Sequence, residues 1–196
     1  AWVDHGEVAT LNGSTVVIVG LGDIGQYYAK LVKAMGAYVI GVKRRASDCP
    51  ECVDELCLTE NLKDVLPRAD VVMSVLPGTK ATQHIYSEEY FDSMKDSALF
   101  INCGRGNAVA TDVLYKVLKE KKITAAAVDV TEIEPLPADS KLWGLENLII
   151  TPHVCGGYHL PTTLSKIADI AAANLKAYLA NEQLRNVVDF ATGYKK

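Results

Sequence analysis

Thr15-Val16-Val17-Ile18-Val19-Gly20-Leu21-Gly22-Asp23-Ile24-Gly25 reads as a β-strand that breaks at a glycine and restarts as a helix. Thr15 to Val19 form a β-branched run of strand length. Beyond it Ile24, Tyr28, Leu31 and Met35 recur at i, i+4, i+7 and i+11, which predicts one apolar helix face, with Gly36 as its C-terminal stop. The three glycines between have separate physical tasks. Gly20 permits the tight turn, Gly22 lets backbone amides approach a pyrophosphate, and Gly25 lets the helix pack close on the strand. The helix N-terminus then faces the anion with its unpaired amides. In this context the pattern predicts dinucleotide binding by Gly20, Gly22, Asp23, Ile24 and Gly25; the alternative is a glycine-rich turn that holds no ligand.

Outward from this stretch, short apolar strands alternate with helical patterns along the chain. Strands are predicted at Tyr38 to Val42, Val71 to Val75, Ala98 to Asn102, Thr124 to Asp129 and Leu148 to Thr151, apolar enough for burial on both faces. Helices are predicted at Glu60 to Leu66, Glu88 to Met94 and Asp112 to Lys121, the last two capped by Ser87 and Thr111. From Pro161 a long final helix presents Leu164, Ile167, Ala171, Leu175 and Tyr178 on one face and ends near Asn181. The expected fold is α/β: a Rossmann-type, doubly wound parallel sheet with helices on both faces, in a single domain over residues 13–181, followed by an extended tail, 182–196.

Composition narrows the function. The 196 residues carry 20 Lys plus Arg against 24 Asp plus Glu, a net charge of −4, and show no basic surplus of the kind a nucleic-acid binder needs. The apolar runs are strand-sized, far below the roughly 18 residues of a membrane helix. No cationic start with an apolar stretch opens the chain, so its five cysteines read as reduced thiols of a cytoplasmic protein. Cys49, Cys52 and Cys57 resemble half of a zinc site, but a closed site takes four ligands and no histidine is near in sequence. They are expected to be free thiols on a variable loop, with no metal.

The cofactor's form is legible at the end of the second strand. A ribose-binding Asp or Glu is expected about 20 residues beyond the glycines. No carboxylate lies between Asp23 and Asp48, and Lys43-Arg44-Arg45 stand in that place. Cations that can clasp a 2′-phosphate favour NADP(H) over NAD(H); the alternative is a solvated turn, with NAD(H) held from elsewhere.

Several ordered motifs together give the chain a resemblance. They are Thr15 to Gly25, Leu76-Pro77-Gly78-Thr79 to Thr82, Phe100-Ile101-Asn102-Cys103-Gly104-Arg105-Gly106, Val128-Asp129-Val130-Thr131-Glu132-Ile133-Glu134-Pro135, Pro137 to Trp143, and Asn147 to His153. Over almost its full length the chain resembles the nucleotide-binding domain of the D-isomer-specific 2-hydroxyacid dehydrogenases. The resemblance implies a catalytic set of Arg105, Glu134 and His153, and a nicotinamide pocket lined by Asp129, Cys103 and Gly104. Pro77 and Thr79 would sit beside the adenosine half, and Leu76, Thr82, Arg105, His153 and Gly156 are counted with the cofactor-binding residues. It further implies a substrate domain that precedes residues 1–12, and a homodimer whose arm runs from Pro135 through Trp143, unless Trp143 is local core.

Chemistry explains why these residue types are wanted. A 2-oxo acid brings a carboxylate and a carbonyl. Arg105 could hold the first and polarise the second with a cation that never deprotonates. His153 could pass a proton to and from the carbonyl oxygen, and Glu134 could fix its tautomer. Each has a plainer alternative: Arg105 on helix-end carbonyls, His153 in a turn, Glu134 as a solvated acid and Asp129 as a strand-end cap. The expectation is hydride exchange between NAD(P)H and a 2-oxo acid or D-2-hydroxy acid, with little turnover by these residues alone. A dinucleotide-sensing, corepressor-like binding module is the alternative.

Overall fold

The computed structural model describes residues 8–157, 160 and 162–191. The expected connecting segment therefore lies outside the described residues over 1–7, as do Pro161 and the last five residues of the expected tail.

Seven parallel strands form one sheet. Along the chain the elements are β1 (Thr15–Val19), α1 (Asp23–Ala34), β2 (Tyr38–Lys43), β3 (Glu55–Leu58), α2 (Leu62–Val65), β4 (Val71–Ser74), α3 (Glu88–Asp92), β5 (Leu99–Asn102), α4 (Thr111–Lys119), β6 (Ala125–Val128), β7 (Leu148–Ile150) and α5 (Thr163–Leu179). The spatial order is β3-β2-β1-β4-β5-β6-β7. Strand order reverses between β1 and β4, whose registers pair Val16 with Val71 and Val19 with Ser74. A crevice opens beyond the carboxyl ends of strands at such a switch point, and ligands of doubly wound sheets bind there.

Alternate residues of β1 face opposite cores. Val17 and Val19 join Ile40, Phe100, Leu62, Leu66 and Phe91 in one cluster, under α2, α3 and α4. Val16 and Ile18 join Val39, Met73, Ala29 and Val32 under α1. The predicted strands are thus recovered to within a residue or two at their ends. The prediction missed β3, whose Glu55-Leu56-Cys57-Leu58 is an edge strand of half-buried residues with an apolar run only three residues long. Cys57 therefore lies on a strand and Cys52 is buried, which corrects the expectation of three loop thiols; Cys49 is exposed.

The first helix buries a seam beside its predicted apolar stripe, of which Tyr28 alone packs, half-buried, against the core. Gly25, Ala29 and Val32 are its buried residues, while Ile24, Leu31 and Met35 are 63%, 50% and 59% exposed. The reason is proximity: α1 lies so close on β1 that a Cβ at Gly25 would fall 2.3 Å from the Gly20 carbonyl oxygen. Only small side chains fit such a seam. The stop at Gly36 is as predicted, at φ 88°.

Two further expectations are corrected. Thr111 is the first residue of α4 and not its cap; Ala110 occupies the cap position, and Ser87 caps α3 without a side-chain hydrogen bond. The predicted apolar face of α5 is unburied: Leu164, Leu175 and Tyr178 are 60%, 59% and 69% exposed, and no described residue of α5 is buried. Residues after α5 turn back on it through Asn174, whose Oδ1 accepts the Arg185 N–H at 2.8 Å. No helix among the described residues is long and apolar enough to cross a membrane.

Candidate active site

The glycine loop sits at the switch point. Gly20 takes φ 102°, and a Cβ there would lie 2.8 Å from the Val75 carbonyl oxygen, so the turn runs tight against the end of β4. Gly22 precedes α1 with open space where its Cβ would be. The first backbone bond of that helix runs from the Gln26 N–H to the Gly22 carbonyl at 2.9 Å, which leaves the amides of Asp23, Ile24 and Gly25 without intrahelical partners. This is a cradle for an anion with no side chain between it and the backbone, and it fits a dinucleotide's pyrophosphate.

Beside it lies a cleft of about 460 Å³ that brings together Gly20, Gly22, Lys43, Arg44, Arg45, Leu76, Pro77 and Thr82. Thr59, Ala81 and Ile85 also line it; Ala81 falls inside the Leu76-to-Thr82 motif, and no local pattern in the sequence marks Thr59 or Ile85. Arg44 and Arg45 are exposed, and Lys43 donates from Nζ to Ser47 Oγ at 2.7 Å, bracing the turn that carries them. Thr79 does not line the cleft. Its N–H donates to Thr82 Oγ1 (2.9 Å), and that hydroxyl donates to the Pro77 carbonyl (2.6 Å), so the two threonines shape the wall behind Pro77. Asp23, Ile24 and Gly25 likewise contribute backbone and not lining.

Further along the same sheet edge, β6 and β7 deliver the acid/base candidates. The Glu134 Oε2 accepts from His153 Nδ1 at 2.8 Å, and Glu134 Oε1 accepts the Thr131 N–H at 3.0 Å. His153 sits at φ 54°, and its side chain is 51% exposed. With Nδ1 committed to Glu134, Nε2 is the nitrogen left for a substrate. Asp129, Glu134, Thr151 and His153 share a cavity of about 680 Å³ with Leu136 and Trp143. Trp143 is 56% exposed and donates from Nε1 to the Pro137 carbonyl (2.9 Å), so it is not local core.

Asp129, 5% exposed, organises that loop. Its Oδ1 accepts from Thr151 Oγ1 (2.6 Å) and the Val154 N–H (2.9 Å), and its Oδ2 accepts the Cys155 N–H (3.0 Å). Burial pushes its carboxyl up, but the bonds from Thr151, Cys155 and Val154 outweigh burial and hold it below the usual carboxylate range. Such a group stabilises the fold above the unfolded carboxylate value near 3.9, and its contribution is lost as pH falls through the depressed folded value. Asp129→Asn should therefore lower stability at pH 7 by about 2 kcal/mol, or about 4–8 °C in melting temperature. Melts of the two proteins should converge as pH is lowered through that depressed value.

Arg105 follows β5 on a loop pinned from beneath. Buried Asn102 accepts the Gly104 N–H at Oδ1 (3.1 Å) and donates from Nδ2 to the Arg105 carbonyl (3.1 Å). Gly104 is pressed on Leu76, whose backbone N and O would each lie 2.6 Å from a Cβ there. The Arg105 side chain is exposed, and its Nη1 donates to the Gly104 carbonyl at 2.8 Å; it lines neither cavity. Burial and the nearby Cys155 push the Cys103 thiol up to about 12, which leaves it an unreactive thiol. Gly156 is half-buried, with open space where a Cβ would be. The structure thus joins the glycine loop to Lys43–Arg45 and Glu134 to His153, and leaves Arg105 between the two groups.

Comparison with known proteins agrees in several ways. Residues 1–155 match the family described as D-isomer specific 2-hydroxyacid dehydrogenase, NAD binding domain. The glyoxylate reductase/hydroxypyruvate reductase of Homo sapiens is 36% identical over 177 residues, 89% of this chain and 52% of that protein. The D-3-phosphoglycerate dehydrogenase of Methanocaldococcus jannaschii is 37% identical over 182 residues, 91% of this chain and 34% of that protein. An NADPH-dependent glyoxylate/hydroxypyruvate reductase from Sinorhizobium meliloti, solved with NADP and sulfate, superposes with a TM-score of 0.88 at 29% identity, covering 98% of this chain and 60% of that one. The chain spans about half the length of the human relative and a third of the archaeal one.

Proposed function

The chain belongs to the D-isomer specific 2-hydroxyacid dehydrogenase family, as its NAD-binding domain, and from that premise we propose that it serves the reduction of a small 2-oxo acid, or the oxidation of the D-2-hydroxy acid, with NADP(H). The observation that carries this reading is the His153–Glu134 pair, 2.8 Å apart, on the same carboxyl edge of the sheet as the glycine loop.

The bound nicotinamide supplies or accepts the hydride. His153 Nε2 gives a proton to the carbonyl oxygen as it gains charge, and recovers it in the reverse direction. Glu134 keeps the other ring nitrogen protonated and stabilises the imidazolium. Arg105, at the end of the pinned loop, holds the substrate carboxylate once its guanidinium turns from the Gly104 carbonyl. Leu76, Pro77 and Thr82 wall the adenosine half, and Cys103, Gly104 and Asp129 the nicotinamide half. With His153 and Arg105 open to solvent, these 196 residues alone should bind cofactor and turn over little. A homodimer belongs to the same proposal, supported by the exposed Trp143 on the proline-rich stretch.

Cofactor preference is the quickest test. NADPH and NADH titrated in parallel at one ionic strength should differ at least tenfold in favour of NADPH, about 1.4 kcal/mol. Exchanging Arg44 and Arg45 for Gln should remove that difference and leave NADH affinity unchanged. Equal affinities in the unchanged chain would assign the cations to a solvated turn and the cofactor to NAD(H).

A further inference from the structure

The loop after β6 carries two glutamates close together, and the acid/base pair uses only the second. Glu132, the first, is engaged at both oxygens. Its Oε2 accepts the Thr111 N–H at 2.7 Å and so caps α4, where Ala110 has no side chain to do it. Its Oε1 accepts from His84 Nε2 at 2.7 Å. His84 lies 48 residues earlier, in the loop after β4, and its own N–H donates to the Asn107 carbonyl at 2.8 Å. It sits at φ 50°, in the left-handed region that side chains rarely adopt unless their surroundings impose it.

Three loops therefore meet at the His84–Glu132 pair. His84 comes from the first, Asn107 stands two residues past Arg105 in the second, and Glu132 stands two residues before Glu134 in the third. The second and third also touch directly, since a Cβ on Gly106 would fall 1.8 Å from the Thr131 carbonyl oxygen. Thr131 in turn holds Glu134 through its N–H, and Glu134 holds His153.

We propose that His84 and Glu132 form a positioning clasp that sets the Glu134 carboxylate against His153 and keeps the Arg105 loop in register with both. Capping α4 needs Glu132 alone, so it leaves the histidine unexplained. The clasp accounts for the histidine: it is the only link among these contacts that spans the β4 loop and the β6 loop by side chains. Its role in turnover rests on the reading of His153 as the acid/base, but the geometry it enforces exists without cofactor or substrate.

The test uses the ¹⁵N-labelled chain without cofactor. His84→Asn tolerates the left-handed backbone but is too short to reach Glu132; His84→Gln can still donate to it. In His84→Asn the Thr131 amide should exchange with solvent about tenfold faster, as loss of a charge-assisted hydrogen bond implies. The His153 ring should also lose the nitrogen pattern of a single Nδ1–H tautomer. His84→Gln should keep both signals. His84→Gly, at ease at positive φ, is the second removal variant should Asn perturb the fold. Unchanged Thr131 exchange and an unchanged His153 ring in the removal variants would overturn the clasp, as would failure of Gln to preserve them. An NADPH titration of the same samples keeps the two readings apart. Absence of binding by the unmodified chain counts against the dinucleotide reading, while the spectra still decide the clasp.

Discussion

In a protein that carries the expected substrate domain, His153→Asn should lower kcat for reduction of a 2-oxo acid by about 10²- to 10⁴-fold, the usual worth of a positioned general acid, with NADPH affinity largely kept. Asparagine is chosen because His153 sits at φ 54°, where it is the least strained replacement that bears a side chain. The variant keeps the fold of the loop, since the bonds that hold it come from Asp129 to the backbone of Val154 and Cys155 and not from the imidazole. What it loses is the proton at Nε2 and the partner of Glu134. Because the lost group acts on the developing oxyanion, the deficit should appear in kcat and in kcat/KM alike. Glu134→Gln should show a smaller loss of the same kind. Steady-state kinetics with glyoxylate and hydroxypyruvate, beside a cofactor titration, check both. A His153→Asn protein that retains its biological output despite losing turnover would point to the dinucleotide-sensing module instead.

The second large effect is expected from one added methyl group. Gly106→Ala places a Cβ 1.8 Å from the Thr131 carbonyl oxygen and 2.7 Å from the Glu132 backbone nitrogen. No flexible side chain stands there to give way. Both contacts are backbone, on a loop held by the bonds of Glu132 to Thr111 and His84. The two loops must part, and over-packing of this kind costs about 3 kcal/mol, about 6–12 °C for a domain of this size. Separation should also displace Arg105 from the Glu134–His153 pair and lower turnover at temperatures where the variant is still folded. Thermal melts and kinetics at 25 °C distinguish the two consequences. A melting temperature within about 2 °C of the parent would show that the two loops have room for the added methyl group.

The strands, and with them the fold class, were legible because each buried strand writes its environment into a short run of apolar residues. Val16 to Val19 and Val71 to Ser74 are covered on both faces, so nearly every position is apolar. β3 was not legible, for it is an edge strand whose Glu55 pairs with Arg68 at the surface. The face of α1 was read one residue off because periodicity identifies large apolar residues, whereas the seam with β1 is made by Gly25, Ala29 and Val32, with Tyr28 packed beside it.

The site divides in the same way. The glycine loop is a local device: turn, amide approach and close packing occur within six residues, and the sequence alone determined it. The family motifs also named Glu134 and His153 before any geometry was known. That Asp129 is the anchor of the His153 loop, that Asn102 pins Arg105 from below, and that His84 meets Glu132 were decided only by the tertiary structure. These contacts join residues 3 to 48 apart in sequence, and the longer ones exist only because a parallel sheet brings its crossover loops to one edge. Backbone conformation leaves a mark in the residues that adopt it, whereas a carboxylate's partners depend on which loop the fold brings alongside it.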